Sequence, residues 1–248
     1  MNEILFAAGA GTETVGVCAP ANYPAEASGL PVVASYSAVD SEGIIARGVL
    51  GCFTVEGMQS AQELEALHRA SIPVYQYRIN TLSDLLDCIV DVGKKTGHAD
   101  QARRLAGAMK MKISACSPAP GAAPRRAAIV VNIEPLVVAG PSSFLSDMLR
   151  AAGFTNAVAA ISEQYPAISI ETLAATKPDL LVFPSGDIGE KEARHLASEL
   201  SRLLDAPCPA VFVPADIFVR PGPRTPEALA ILAASRASMN AAATGPLK

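Results

Sequence analysis

Residues 165–186, YPAISIETLAATKPDLLVFPSG, contain the signals of an aromatic turn, a helix and a strand in one short stretch. Tyr165 precedes a proline, which fixes its own backbone and favours extended geometry in the residue before it. Ser169 stands at a helix N-cap position, and the Lys-Pro pair at 177–178 ends the helix. The apolar run at 180–183 predicts a strand buried on both faces, as in a parallel sheet. The stretch therefore predicts an α/β fold with an aromatic at the sheet rim, where such folds bind ligands.

The composition excludes several classes of protein. Half of the 248 residues are hydrophobic, 18% are charged, and the net charge is -4. This balance argues against a nucleic-acid partner, which requires a basic face. No apolar run approaches the roughly 18 residues of a membrane span. The sequence as given begins without the basic flank of a signal peptide, so we expect a soluble chain with no targeting segment.

The cysteines are odd in number, widely spread, and without a CxxC pair. Structural metal sites pair their ligands locally, so we do not expect these thiols to bind metal. We interpret them as small, mostly buried hydrophobic residues, with a disulfide framework as the alternative. The five are Cys18, Cys52, Cys88, Cys116 and Cys208.

The first half of the chain alternates short apolar runs with helical patterns. We expect helices at 4–10, 39–46 and 60–70, and strands at 14–18, 31–34, 49–54 and 72–77. Such alternation predicts a parallel sheet with helices on both faces.

The middle of the chain is helical, and a second alternating block follows it. A capping box at 81–84 opens one helix, a second runs over residues 99–115, and the segment 116–121 resembles a linker. Strands are expected at 127–133, 180–183 and 210–213, with helices at 142–152, 190–204 and 225–241. The pattern predicts an N-terminal α/β lobe at 1–80, a bridging helical segment at 81–121 and a C-terminal α/β lobe at 122–248.

Six phrases, in the right order along nearly the whole chain, carry a family resemblance. They are NEILFAAG at 2–9, VGV at 15–17 with YPAEA at 23–27, SYS at 35–37, VGKKTGH at 92–98, YPAISIETLAATKPDLLV at 165–182 and RPGPR at 220–224. With these phrases the chain resembles the helical-backbone periplasmic substrate-binding proteins (class III, cluster A). These serve ABC importers for cobalamin, haem and iron-siderophores, and the cobalamin-binding branch is the most similar.

The resemblance implies two lobes bridged by one long helix, with a metal chelate held in the cleft between them. The chain is then not an enzyme and needs no cofactor, because the chelate is its cargo. Its partners would be that chelate and, transiently, an ABC permease with its ATPase. We expect a monomer in the periplasm or at the outer face of the membrane. Family members have a strand before the helix that matches residues 2–9. We expect the given sequence to lack this first strand of the N-terminal lobe, through a late start, a truncation or a degenerate member, and a missing strand would leave one sheet edge unpaired.

Aromatic and arginine side chains are the expected ligand contacts. Aromatic faces supply contact area to large flat chelates at low entropy cost, and arginine forks bind carboxylate or phosphate. We expect Tyr36 and Tyr165 to face each other across the cleft. The remaining candidates are Tyr23, Phe53, Phe218, Arg220 and Arg224.

Each of these residues also has a structural alternative. The aromatics could pack in loops or in the core, and the arginines could pin their loop through a salt bridge. The cobalamin branch often has Trp at the positions of Tyr36, Phe53 and Tyr165, whereas this chain has no Trp. A tyrosinate can ligate ferric haem, so haem and ferric siderophores stay open beside cobalamin.

Docking in this family relies on a surface carboxylate on each lobe. In the first lobe Glu63 or Glu65 lies in the matching helix. In the second lobe the matching position is Val219, so docking is expected to shift to Asp216.

Two other classes of function stay open at this point. One is a doubly wound cytosolic enzyme, for which the signals are weak. The Gly-Ala-Gly at 9–11 lacks the preceding strand and third glycine of a phosphate loop, and His68, His98 and His195 are isolated. The other is a degenerate or non-transport protein that retains the binding fold.

Overall fold

The computed structural model describes residues 1–35, 38–57, 60–118 and 121–243. The chain forms two compact units. The first comprises Met1–Ile79 with Ser83–Lys110, and the second comprises Asn80–Leu82 with Met111–Lys248. None of the helices in the described ranges is long and apolar enough to cross a membrane.

The first unit contains four short strands and most of five helices. Its strands are β1 (Val17–Cys18), β2 (Val32–Ala34), β3 (Cys52–Val55) and β4 (Val74–Tyr77). Its helices are α1 (Asn2–Leu5), α2 (Ser41–Ala46), α3 (Ala61–Arg69), α4 (Leu82–Lys95) and α5 (Ala99–Ala115). A wide π-type turn at Phe6–Ala10 continues α1, and Gly9 in it has a φ of 116°.

The strands of the first unit pair in parallel, as the alternating pattern predicts, but they do not form one sheet. Within the described residues, β1 pairs only with β2, and β3 pairs only with β4. The strand expected at 14–18 is reduced to Val17–Cys18, because a 3₁₀ turn at Gly11–Glu13 continues to bond the chain at Thr14. Two separate two-stranded sheets replace the single expected sheet.

Side chains cap the starts of two helices in this unit. Ser60 and Glu63 form a capping box at α3, and the Asp40 side chain accepts a hydrogen bond from the Gly43 N–H at α2. Leu82, the first residue of α4, belongs to the second unit, and its N–H donates to the Asp147 carboxylate of that unit over 2.8 Å. That partner is 65 residues away, so it could not be read from the local sequence.

The second unit is built on one five-stranded sheet. Its strands are β5 (Arg125–Asn132), β6 (Val137–Val138), β7 (Phe154–Asn156), β8 (Leu180–Ser185) and β9 (Ala210–Pro214). Its helices are α6 (Phe144–Ala151), α7 (Ile170–Ala175), α8 (Glu190–Leu204), α9 (Ala215–Phe218) and α10 (Thr225–Ala243). The strand order is β6-β5-β8-β9, with β7 also paired to β5, and all pairs except β5–β6 are parallel.

The stretch 165–186 folds as its sequence predicts. The Ser169 side chain accepts a hydrogen bond from the Thr172 N–H and caps α7. Strand β8 lies between β5 and β9, and its residues from Leu180 to Phe183 are at most 1% exposed. Burial on both faces explains why this strand is continuously apolar.

The boundary between the two units falls within α5, after Lys110. Helix α5 spans the residues that the sequence predicts, 99–115. The bridging role assigned to residues 81–121 stays a prediction.

Candidate ligand-binding residues

Tyr165 lies between β7 and α7, and backbone hydrogen bonds hold the chain on both sides of it. The Gly140 N–H donates to the Gln164 carbonyl over 2.8 Å, and the Val138 N–H donates to the Pro166 carbonyl over 3.1 Å. The Tyr165 side chain nevertheless keeps 47% of its surface exposed. The sheet therefore fixes the backbone of a rim aromatic while leaving its ring accessible, as a binding residue requires.

Gly140 makes this arrangement possible and was not identified from the sequence. A Cβ atom at Gly140 would overlap the carbonyl oxygen of Glu163, so only glycine permits the close approach of the two segments. The Gly140 carbonyl also accepts a hydrogen bond from the Ser143 hydroxyl, over 2.7 Å. The only sequence signal was a glycine before Pro-Ser-Ser, which also suits an ordinary loop.

Partial burial changes the acid–base chemistry of Tyr165. Desolvation raises the pKa of its phenol above the ordinary value for tyrosine. The phenol is therefore protonated at neutral pH and able to donate a hydrogen bond. It can coordinate a ferric ion only after losing that proton.

The structure brings three further predicted residues together at the end of β9. The Arg220 guanidinium lies 3.0 Å from the Asp216 carboxylate, and an Arg224 N–H donates to the Asp216 carbonyl over 3.4 Å. Arg220 thus pairs with the expected docking carboxylate, and Arg224 contacts the backbone of the same residue. The salt-bridge alternative for Arg220 is present, while its side chain stays 38% exposed.

Phe218 is fully buried, whereas the predicted ligand contact requires an exposed ring. It ends the short helix α9, which the sequence pattern did not reveal, and its exposure is 0%. A ring without exposed surface cannot touch a ligand unless the unit opens. This placement favours a packing role and argues against the predicted ligand contact of Phe218.

Two aromatic candidates of the first unit, Tyr23 and Phe53, lie in the described residues. Phe53 is half-buried within β3, with its ring centroid 5.0 Å from that of Tyr75. Tyr23 lies in the loop after β1 and is 44% exposed. Tyr36, the other principal candidate, lies outside the described residues. Tyr23 and Phe53 therefore remain separate candidates.

The two candidate docking carboxylates on α3, Glu63 and Glu65, differ in their hydrogen bonding and exposure. The Glu63 carboxylate accepts hydrogen bonds from the Ser60 N–H at 2.8 Å and the Val39 N–H at 3.0 Å. These bonds, together with the Ser60 hydroxyl, lower the pKa of Glu63. Glu65 lies on the exposed side of the same helix. The geometry thus favours Glu65 as the available carboxylate.

The isolated histidines form no reactive cluster in the described parts of the chain. His98 is paired with the Glu13 carboxylate at 2.9 Å, and His68 and His195 are exposed. The described residues hold no group of three His, Cys, Asp or Glu side chains suited to a metal ion. All five cysteines are present as free thiols, with Cys88 and Cys208 buried.

Two α/β units, a rim aromatic with a fixed backbone and a partly exposed arginine after the last strand fit an α/β ligand-binding protein. The family model described as periplasmic binding protein matches residues 3–198, and the chain belongs to this family. This membership agrees with the expectation of a binding protein rather than an enzyme.

Vitamin B12-binding and haem-binding proteins are among those similar to this chain. The vitamin B12-binding protein of Pectobacterium atrosepticum is 26% identical over 228 residues, covering 90% of this chain and 80% of the relative. The periplasmic haem-binding protein RhuT from Roseiflexus sp. RS-1 superposes with a TM-score of 0.81 at 22% identity, covering 96% of this chain and 94% of that one. The vitamin B12-binding protein BtuF of Vibrio cholerae has a TM-score of 0.74 at 22% identity, with the same coverage. The predicted family and α/β fold class are confirmed.

Proposed function

We propose that this protein is the substrate-binding component of an ABC importer and that it captures a macrocyclic metal chelate, cobalamin or haem. The observation that carries the proposal is its family membership, together with relatives that bind vitamin B12. Fold neighbours bind haem or vitamin B12. In such a protein the chelate is cargo, so no resident cofactor is required.

The chemistry of the second unit supports a chelate of this size and shape. Tyr165 offers a ring whose backbone is fixed, and aromatic rings contact flat macrocycles at low entropy cost. Arg220 offers a partly exposed guanidinium, which pairs with carboxylate or phosphate groups. We propose these two as the principal contacts, with Tyr36, Tyr23, Phe53 and Arg224 as further candidates.

The two candidate macrocycles make different demands on these side chains. Haem carries two carboxylates and a ferric ion that accepts a tyrosinate, so it would use both Arg220 and the Tyr165 oxygen. Cobalamin carries amides and one phosphodiester, so it would use the aromatic ring more than the phenol oxygen. A ferric siderophore is the third possibility and would depend on charge more than on ring stacking.

Ligand titration tests the proposal directly. The purified protein is mixed with hemin, cyanocobalamin or a ferric hydroxamate siderophore, and thermal unfolding is followed by circular dichroism. A true ligand at a hundred times its Kd should stabilise the fold by about 2.7 kcal/mol. Metal-free protoporphyrin is the matched control, because it keeps the ring and the carboxylates but lacks the iron. Failure of all three chelates to stabilise the protein contradicts the proposal.

Delivery to a permease needs its own test. We propose that a monomer outside the cytoplasmic membrane docks through Glu65 on the first unit and Asp216 on the second. Loaded protein should then stimulate ATP hydrolysis by the permease–ATPase complex in proteoliposomes, and the E65Q variant should do so less.

A non-transport binding protein is the second candidate function. It is favoured by the pairing of Asp216 with Arg220 and by the apolar Val219 beside them, because a permease arginine would have to compete with Arg220 for the Asp216 carboxylate. Chelate binding without any stimulation of ATP hydrolysis would select this candidate.

A further inference from the structure

The chain beside Tyr165 is held by a side chain that comes from far away in the sequence. The Gln164 side-chain N–H₂ donates to the side-chain oxygen of Asn80, 84 residues away, over 3.2 Å. The backbone carbonyl of Gln164 accepts the Gly140 N–H over 2.8 Å. Gln164 is therefore tied at both its backbone and its side chain, and Tyr165 is the next residue along the chain.

Asn80 is itself anchored in the second unit. It belongs to the segment Asn80–Leu82, which is part of the second unit although the residues on either side of it belong to the first. Leu82 is 7% exposed, and its N–H donates to the Asp147 carboxylate, which is 9% exposed, over 2.8 Å. Hydrogen bonds to a charged acceptor are stronger than those between neutral groups. The bond at Leu82 therefore holds Asn80, two residues earlier, in place.

These contacts close into a ring of four hydrogen bonds, which we call the Gln164 ring. The Ser143 hydroxyl donates to the Gly140 carbonyl over 2.7 Å, and Asp147 follows Ser143 by one turn of α6. The first turn of α6 thus joins the Gly140 side of the ring to the Leu82 side. In order, the ring contains Gln164, Gly140, Ser143, Asp147, Leu82 and Asn80.

The bond between Gln164 and Asn80 is the exposed member of the Gln164 ring. Ser143, Asp147 and Leu82 are buried, whereas Gln164 is exposed and Asn80 is half-buried. Among the described residues, this bond is the one hydrogen bond that the Gln164 side chain makes. Its removal opens the ring next to Tyr165 and leaves the buried bonds in place.

We propose that Asn80 is a positioning residue of the candidate chelate site, and that it acts through Gln164 on Tyr165. This inference rests on the proposed function, because it requires that Tyr165 contacts the chelate. Tyr165 keeps 47% of its surface exposed, so packing restrains its ring only in part and the backbone beneath it determines where the ring lies. An aromatic that is already ordered loses less conformational entropy on binding, so each restraint raises the affinity.

The positioning of Tyr165 can be tested without a ligand. The protein is labelled with fluorotyrosine, and the fluorine NMR signal of Tyr165 is assigned from its loss in the Y165F variant. The N80A and Q164A variants should each shift or broaden this signal, while the signal of Tyr23, in the first unit, stays unchanged. Because Gln164 is exposed, Q164A should fold like the wild type. An unchanged Tyr165 signal in both variants overturns the proposal.

Chelate titration tests whether this positioning contributes to binding. With cyanocobalamin or hemin, whichever binds the wild type, N80A and Q164A should each bind about threefold more weakly or worse. The N80D variant keeps an oxygen that can accept from Gln164 and should bind like the wild type. The S238A variant is the matched control, because it removes a different exposed hydrogen bond of the second unit, 3.1 Å long, near the end of α10. It should also bind like the wild type.

A double-mutant cycle separates the positioning of Tyr165 from a general effect on folding. In a Y165A background, N80A should change the chelate affinity by less than about twofold, because the residue through which Asn80 acts is gone. An equal loss in both backgrounds, or a loss in N80D as large as in N80A, overturns the proposal. If neither chelate binds the wild type, the proposed function fails and the positioning role fails with it. If a chelate binds the wild type and N80A equally well, the positioning role alone fails.

Discussion

The guanidinium of Arg220 lies 3.0 Å from the carboxylate of Asp216, so two residues with different expected roles form one ion pair. Arg220 is a proposed ligand contact, and Asp216 is a proposed docking carboxylate. Each partner neutralises the other, so a ligand carboxylate or a permease arginine must compete with this pair. The two proposed roles would therefore be coupled through one interaction.

This competition predicts opposite effects of two substitutions. The D216N variant removes a competing carboxylate from Arg220 and should bind hemin up to about fivefold more tightly, as an exposed ion pair is worth at most about 1 kcal/mol. The R220A variant should bind hemin more weakly and leave cyanocobalamin less affected. Absorbance titrations at low and moderate salt provide the measurement. Weaker hemin binding by D216N would show that the pair acts together on the ligand.

Gly140 provides a test of how Tyr165 is positioned. A Cβ atom in the G140A variant would overlap the Glu163 carbonyl oxygen, so the 163–166 segment must move away. We expect a loss of stability of about 1–3 kcal/mol, typical of overpacking, together with at least a tenfold loss of chelate affinity. Urea denaturation and ligand titration measure the two effects.

Gly107, in the middle of α5, is the matched control. A Cβ atom there meets no other atom within 4 Å. The G107A variant should gain about 0.5–1 kcal/mol from helix propensity and bind chelate normally. Normal chelate binding by G140A would mean that chelate affinity does not depend on the position of Tyr165.

The long elements were predictable from the sequence, and the short ones were not. Helices α5 and α8 begin and end at the residues that their apolar periodicity and flanking signals predict. Strands β6 and β7 and helix α9 have two to four residues each, too few for any periodicity. Such segments are set by pairing with β5 or by packing, which depend on residues far away in the sequence.

The same distinction applies to the candidate site. Tyr165 was predictable because an aromatic before proline, next to a capped helix, carries a local signal. Gly140, which holds the Tyr165 segment, was not, because its partners are 23 and 24 residues further along the chain. The burial of Phe218 was not predictable, because the four residues of α9 are too few to show a periodic pattern.

Phe218 should behave as a core residue. The F218A variant is expected to lose about 3–5 kcal/mol of stability, because it leaves a cavity at a site with 0% exposure. The F218L variant keeps most of the volume and should lose less than about 1.5 kcal/mol while binding chelate like the wild type. Guanidinium denaturation and ligand titration test both variants. A tenfold affinity loss in a stable F218L protein would restore Phe218 as a ligand contact.

We expect the Asp91 carboxylate to stabilise the first unit in a pH-dependent way. Its carboxylate accepts hydrogen bonds from the Lys95 ammonium at 3.0 Å and the Tyr77 hydroxyl at 2.8 Å. Lys95 first, and then Tyr77, lowers the pKa of Asp91. The pKa of Asp91 is lower in the folded protein than in the unfolded chain, where it is about 3.9. The ionised carboxylate therefore stabilises the fold above that unfolded-state pKa. The stabilisation is lost as the pH falls through the folded-state pKa.

The D91N variant should therefore be less stable than the wild type at neutral pH and match it in strong acid. Urea denaturation across a pH series measures the difference. The D187N variant, altered in the exposed turn after β8, should follow the wild type throughout. A stability gap between D91N and the wild type that persists in strong acid would exclude a charge-dependent role.

Tyr165 should contribute differently to the binding of haem and of cobalamin. If its phenolate ligates ferric haem, binding releases one proton, and the haem affinity should rise about tenfold per pH unit below the phenol pKa. Since partial burial raises the pKa of Tyr165, the rise should continue through neutral and mildly alkaline pH. The Y165F variant should lose both this dependence and the haem charge-transfer band, while cyanocobalamin affinity stays within a fewfold because the ring remains. Absorbance titrations of the wild type, Y165F and the control Y75F, altered in β4 of the first unit, provide the comparison. A haem affinity of the wild type that is independent of pH would exclude Tyr165 as the iron ligand and leave it as a stacking surface.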